Sequence, residues 1–211
     1  MELRQVIRSR RMVRAYDPAR QVPPEVLDRV LDHAVRAPSA GFSQGWDFVV
    51  LTSAQERARF WDTTADPDAG PDAVPDPWLR GVSTAPCLVL CLSDRDAYLD
   101  RYAEPDKGWG DRDEARWPVP YWDVDTGMAA MLMLLTAVDE GLGALFFGVP
   151  PARHPVVRRA YGIPEGRRIV GVVAMGYAAP DRRSPSLRRG RRPVREVAHR
   201  GRFGVPWETG A

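Results

Sequence analysis

The stretch DVDTGMAAMLMLLTAVDEGLGALFFGVP, Asp123 to Pro150, decides how the chain folds. Its first part, Asp123 to Glu140, is rich in Ala, Met and Leu, which lose little on entering a helix, and Gly141 supplies the stop. Met128, Ala129, Met131, Leu132, Leu134, Leu135 and Val138 cover most of the circumference. A helix apolar nearly all round is covered on several sides, so it is expected at the centre of the body or at a dimer interface. The apolar run is too short to span a bilayer and ends in Asp139 and Glu140. Beyond it the pattern changes to a short apolar strand, Ala144 to Phe147.

Working outward, Glu2 to Arg11 can form a short helix, and Pro23 and Pro24 open a second, EVLDRVLDHAVRA. Its Val26, Leu27, Val30, Leu31 and Ala34 share one face, and it stops before Pro38. Trp46 to Thr52 reads as a strand, and Ser53 caps a helix beginning AQERARFW. The Pro- and Asp-rich stretch 65–77 is turn and loop chemistry. Cys87 to Leu92 is a buried type of strand. A helix near Pro155 to Tyr161, a strand Ile169 to Tyr177 and a basic extended tail complete the chain. Between them, Ser93 to Trp122 is rich in Asp, Tyr and Trp and shows no clear period. A stretch this long inside a compact domain is expected to be a functional lid or a partner-binding segment. Helices and strands alternate, but their connections vary too much in length for a doubly wound sheet. The expected class is α+β, in one domain over 1–211, with a lid insertion at 93–122 and a basic tail at 181–211.

At 211 residues, 44% hydrophobic and 27% charged, the chain can bury an ordinary core. Of 30 basic residues 29 are Arg, with Lys107 the single lysine, and Asn is absent. The net charge of +2 hides a segregation: 61–125 holds 15 acids against 6 bases, whereas 181–202 holds 9 Arg against 2 acids. No signal peptide is visible, and a cytoplasmic location is the default expectation. Cys87 and Cys91 lie on one face of an extended segment and are expected to be core thiols. His33, His154 and His199 have no metal-ligand spacing.

Four segments could carry chemistry. SRRMVRAY crowds Arg10, Arg11 and Arg14 at the end of the first helix, and an anion such as phosphate would compensate them; a solvated surface cluster is the alternative. RAPSAGFSQGWDF, Arg36 to Phe48, combines small residues, which let a ligand approach the backbone, with Ser39, Ser43 and Gln44. Neither GxGxxG nor GxxxxGK[ST] occurs. EGLGALFFGVP, Glu140 to Pro150, would let a flat ring lie against main-chain amides, and it would equally serve tight helix-to-strand packing. SLRRGRRPVREVAHR, Ser186 to Arg200, raises nucleic-acid binding, against which stand the acidic middle of the chain and the lack of a recognition motif.

In this order the four segments resemble the FMN-dependent nitroreductase family. Arg10, Arg11, Arg14 and Tyr16 match its opening RRSxRxF; Ala34, Ala37, Pro38, Ser39, Gln44, Trp46 and Phe48 match AxxAPSxxNxQPWxF. The long helix running into GLG, GIPEG at Gly162 to Gly166, a strand ending in MGY at Met175 to Tyr177 and the basic tail also match. The resemblance implies an α+β fold with a mostly antiparallel sheet flanked by helices, and a homodimer with two flavin sites at its interface. Arg10, Arg11 and Arg14 would hold the FMN phosphate and ribityl region, with Arg189 and Arg191 from the tail. Pro38, Ser39 and Gln44 would contact the flavin, partly from the other subunit, and main chain near Phe147 and Gly148 would face the ring. Met12 stands where Ser is common, Phe42 where Asn is usual, and Gly45 replaces the Pro of QPW. Phe42 and its neighbours resemble the branch that fragments reduced FMN to make dimethylbenzimidazole. That branch uses an Asp and a Ser where this chain has Met12 and Gly148, which counts against it.

The implied activity is ping-pong electron transfer from NAD(P)H through FMN to a small acceptor such as a nitroaromatic or quinone. The cofactor carries the redox step, so no catalytic side chain is nominated. Trp109, Trp117, Tyr121 and Trp122 could stack on the acceptor or pack the lid onto the body, and Asp106 and Lys107 could meet substrate or nicotinamide. Open alternatives are a biosynthetic flavin oxidase acting on a peptide or cyclic dipeptide, an F420-binding reductase and, from another class, a nucleic-acid binding module using the tail. Neither nucleic acid nor membrane is the expected partner.

Overall fold

Side chains one residue apart along a strand point to opposite faces, and here both faces are apolar, so helices cover both. The computed structural model describes residues 1–68, 76–181 and 184–208. Four strands, β1 (Trp46–Leu51), β2 (Cys87–Asp94), β3 (Gly143–Phe147) and β4 (Arg167–Gly176), pair in the order β1-β2-β4-β3, antiparallel at every step. The chain is α+β, as its uneven connections require. It divides into two compact units, Met1–Asp181 and Arg182–Ala211, and the whole sheet lies in the first.

On one face of the sheet Cys87, Val89, Cys91, Ala144, Val173 and Met175 pack under α2 (Pro24–Ala34) and α6 (Tyr121–Asp139). On the other, Leu88, Leu90, Leu145, Val172 and Ala174 meet Phe60 of α3 (Ala54–Thr64), Val82 of α4 (Pro77–Val82) and Val157 of α7 (His154–Tyr161). Both cysteines are free and buried beneath α6. Desolvation pushes each thiol up to about 12, so neither supplies a thiolate at neutral pH. Ser53 and Glu56 close a reciprocal capping box at the start of α3, the boundary expected from Ser53.

Helix α6 has two apolar faces with different surroundings. Ala129, Ala130, Met133, Leu134 and Ala137 are buried in the body, whereas Val124, Met128 and Met131 are 37%, 42% and 45% exposed. The helix is central on one side, as one of the two expectations has it, and bare on the other.

Two helices of the first unit escape the sequence reading. Asp76 accepts the Trp78 N–H and Pro77 fills the first turn of α4, inside the stretch read as loop; 69–75 of that stretch lies outside the described residues. The segment read as an aperiodic excursion begins with α5 (Arg95–Ala103), capped by the Asp94 carboxylate. Only Tyr98 and Leu99 of α5 are buried, which is too little to write a helical period. Its aromatic residues pack on one another, Tyr102 with Trp109 at 4.9 Å and with Trp117 at 4.6 Å, and Tyr98 with Trp122 at 6.1 Å. Asp106 is held by Arg101 at 2.7 Å, and Lys107 stands 5.2 Å from the Tyr102 ring centre. Helix α1 spans Leu3–Ser9, and the second unit, expected from the sequence as an extended tail, instead contains a 3-10 turn, Pro185–Arg189, and α8 (Val194–Val197).

Candidate functional site

The arginine segment is stitched to the edge of the sheet. Met12 bridges in parallel to Ala144, and the Val13 N–H donates to the Ala144 carbonyl at 3.0 Å. Two glycines make room for it: a Cβ on Gly143 would stand 2.7 Å from the Val13 side chain, and one on Gly81 2.2 Å from the Arg14 carbonyl. Tyr16, 2% exposed, sets its hydroxyl 2.8 Å from the Val13 carbonyl.

On this fixed backbone the three guanidinium groups meet different fates. Arg11 pairs with Asp181 at 2.8 Å, and the Arg14 Nη1 donates to the Met12 carbonyl at 3.1 Å. The Arg10 Nη1 is buried with no acceptor. Among the described residues neither the Arg10 nor the Arg14 guanidinium pairs with a carboxylate, although the Arg14 main-chain N–H donates to Asp181 at 2.9 Å. Leaving a buried charged donor unpaired costs on the order of 1–3 kcal/mol, a cost that an external oxyanion at Arg10 would relieve. The Met12 side chain packs against both core clusters, which leaves only its main chain for a ligand.

The second segment is a strained turn with elaborate bracing. Gly41, Phe42 and Gln44 all have positive φ, 63°, 58° and 50°, and backbone strain held this way is a common mark of a functional site. Phe42 is 75% exposed, Pro38 and Gln44 are exposed, and Ser39 Oγ accepts the Gln44 N–H at 3.0 Å. Asp125 of α6, 3% exposed, takes both the Ala40 N–H and the Tyr98 hydroxyl on Oδ2, each at 2.8 Å. Burial and the neighbouring carboxylate keep that phenol protonated, its pKa pushed well above the ordinary value. Arg101 Nε donates to the Gly41 carbonyl at 2.9 Å. Helix α5 therefore holds this turn in place.

The third segment ends β3. Phe147 is stacked on Trp61 at 5.9 Å and meets Trp78 edge-on at 5.4 Å. With Gly148, Val149 and Pro150 these rings line a cavity of about 210 Å³. No atom lies within 4 Å of the place a Gly148 Cβ would occupy, so this backbone is open to a flat group. Arg189 and Arg191 are exposed on the second unit, at the end of its 3-10 turn and just beyond it. Sequence reasoning missed Asp125, Tyr98, Trp61 and Trp78. Asp125 had one signal, a lone acid inside an otherwise apolar helix stripe.

A family model described as "Nitroreductase family" matches residues 7–177, a span holding the arginine, turn and glycine segments. The chain belongs to the nitroreductase family. A 4-nitrobenzoate reductase from Nocardioides is 32% identical over 197 residues, 82% of this chain and 78% of its own. Other relatives carry the words NAD(P)H nitroreductase in their names. A nitroreductase family protein from Clostridium difficile superposes with a TM-score of 0.70 at 21% identity, over 96% of this chain and 100% of that one. A nitroreductase from Bacteroides fragilis, solved with bound FMN, gives 0.61 at 23% identity over 85% and 89% of the two chains. The match of this nitroreductase-family chain to the family model ends before Arg189 and Arg191. Among the described residues no cluster of His, Cys, Asp and Glu could hold a metal ion, and no helix is long and apolar enough to cross a membrane.

Proposed function

We propose that this nitroreductase-family oxidoreductase binds FMN and passes electrons from NAD(P)H to a small acceptor such as a nitroaromatic or a quinone. The observation that carries the reading is the buried, unpartnered Arg10 Nη1, four residues before an Arg14 guanidinium that also lacks a carboxylate, in a chain of this family. The residues present fit the cofactor: arginine for phosphate, a turn with Pro38 and Gln44 exposed and Ser39 half-buried, and open main chain at Gly148. When bound, FMN supplies the centre that accepts a hydride and releases electrons. Arg10 and Arg14 anchor and orient, the 38–44 turn and Gly148 shape the space around the ring, and Trp61, Phe147 and Trp78 exclude water from one side of it. Arg189 and Arg191 are proposed as further phosphate partners on the resemblance alone.

The reading is tested by the purified protein itself. Absorbance at the flavin maxima, bleached by NADH or NADPH and restored by a nitroaromatic, is the expected result. A deazaflavin spectrum, or flavin that nicotinamides leave oxidised, overturns it.

The bare face of α6 supports a second part of the proposal, a homodimer of this nitroreductase-family chain. Val124, Met128 and Met131 form a contiguous apolar stripe, and such stripes mark interfaces. Met128→Glu is expected to convert the dimer to monomer in light scattering. An unchanged mass would show that the partner lies elsewhere.

A further inference from the structure

A second cavity, of about 170 Å³, opens where the end of β2 and the start of β4 meet the starts of α5 and α6. Arg95, Arg158, Arg167 and Arg168 line it, with Ser93 and Trp122; none belongs to the arginine, turn or glycine segments. Three of the four guanidinium groups are already compensated: Arg95 by Asp96 and Glu114, Arg167 by Asp47 and Asp94, Arg168 by Asp123. Arg158 differs. Its Nη2 donates to the Arg167 carbonyl at 2.6 Å, no carboxylate pairs with it among the described residues, and its Nε is buried without an acceptor. Trp122, 2% exposed, brings a second buried donor without an acceptor, its indole N–H. Glu165 is the one carboxylate in the wall.

We propose that this cavity is a phosphoryl-binding site, separate from the one at Arg10 and Arg14. Two residues of the wall, Arg158 and Trp122, each carry a buried donor without an acceptor, and a group with several acceptor oxygens would compensate both. A tetrahedral oxyanion supplies them, and its charge meets the one uncompensated guanidinium. The volume admits a phosphate with a short organic substituent and is too small for a dinucleotide. The source is free phosphate or a small phosphate monoester.

The test is titration of the full-length protein with inorganic phosphate and, separately, ribose 5-phosphate, followed by calorimetry. Saturable 1:1 binding is expected in wild type loaded with FMN, which fills the other phosphate site, and equally in the Arg10→Ala, Arg14→Ala double variant, which lacks that site. Whichever compound binds more tightly identifies the source. Arg158→Gln is expected to weaken binding about tenfold or more, since it removes a charge-assisted pair of bonds. The exposed Glu165→Gln, which threatens no core contact, is expected to tighten it severalfold by lifting a like-charge repulsion. No saturable binding in wild type, binding lost in the Arg10, Arg14 double variant, or binding indifferent to both Arg158→Gln and Glu165→Gln overturns the proposal.

Discussion

Arg10→Ala combined with Arg14→Ala is expected to give a folded protein without bound flavin. A hydrogen bond from a guanidinium to a phosphate is worth about 1.5–3 kcal/mol, so losing two arginines weakens binding by roughly a hundredfold or more. The body has little to lose from the change. Arg10 Nη1 has no partner inside the protein and Arg14 Nη1 only the carbonyl of Met12, so the thermal midpoint should stay close to wild type when both are measured without flavin. Arg11→Ala is the informative contrast. Its guanidinium is committed to Asp181, so it should retain flavin at near wild-type stoichiometry. Absorbance ratios of flavin to protein decide the matter. Wild-type stoichiometry in the double variant would mean that the phosphate sits elsewhere.

Asp125→Ala is expected to damage stability more than any surface change. It strands two buried donors, the Ala40 N–H and the Tyr98 hydroxyl, and opens a hole beneath the 38–44 turn. The combined loss should be about 2–5 kcal/mol, a large share of the stability of a domain, and a fall in Tm on the order of 10 °C. Asp125→Asn keeps an acceptor oxygen at the same place and should cost about 1 kcal/mol. The turn carries the proposed flavin contacts, so flavin affinity should fall together with stability. Melting curves and flavin titration of the two variants check both statements. Equal Tm values for Asp125→Ala and wild type would show that the carboxylate does not hold the turn.

The strands and the long helices were legible because their periods are written in single residues. Cys87, Val89 and Cys91 alternate with Leu88, Leu90 and Leu92, and the two sets divide between the two faces of the sheet. Helix α5 was not legible, because its stability comes from an Asp94 cap, ion pairs and tyrosines seated on a distant turn. At the candidate site, Arg10 and Arg14 could be nominated from spacing. Their difference from Arg11 could not, since it depends on Asp181, 170 positions away. The role of Asp125 was hidden for the same reason: its partners are a backbone amide 85 residues earlier and a tyrosine in a segment without apparent period.

The two glycines of the strained turn constrain how this lineage can vary. A Cβ on Gly41 would stand 2.6 Å from the Tyr102 ring, and one on Gly45 2.5 Å from Tyr98 and 2.6 Å from the Asp94 carbonyl. Gly45 is the position where the QPW pattern has proline, so a chain that regains that proline cannot keep Tyr98 in its present place. Tyrosine on α5 and glycine in the turn are therefore a matched pair of characters, exchanged together or not at all. At Gly45, where that pattern has proline, the space a side chain would need is filled by Tyr98 and the Asp94 carbonyl.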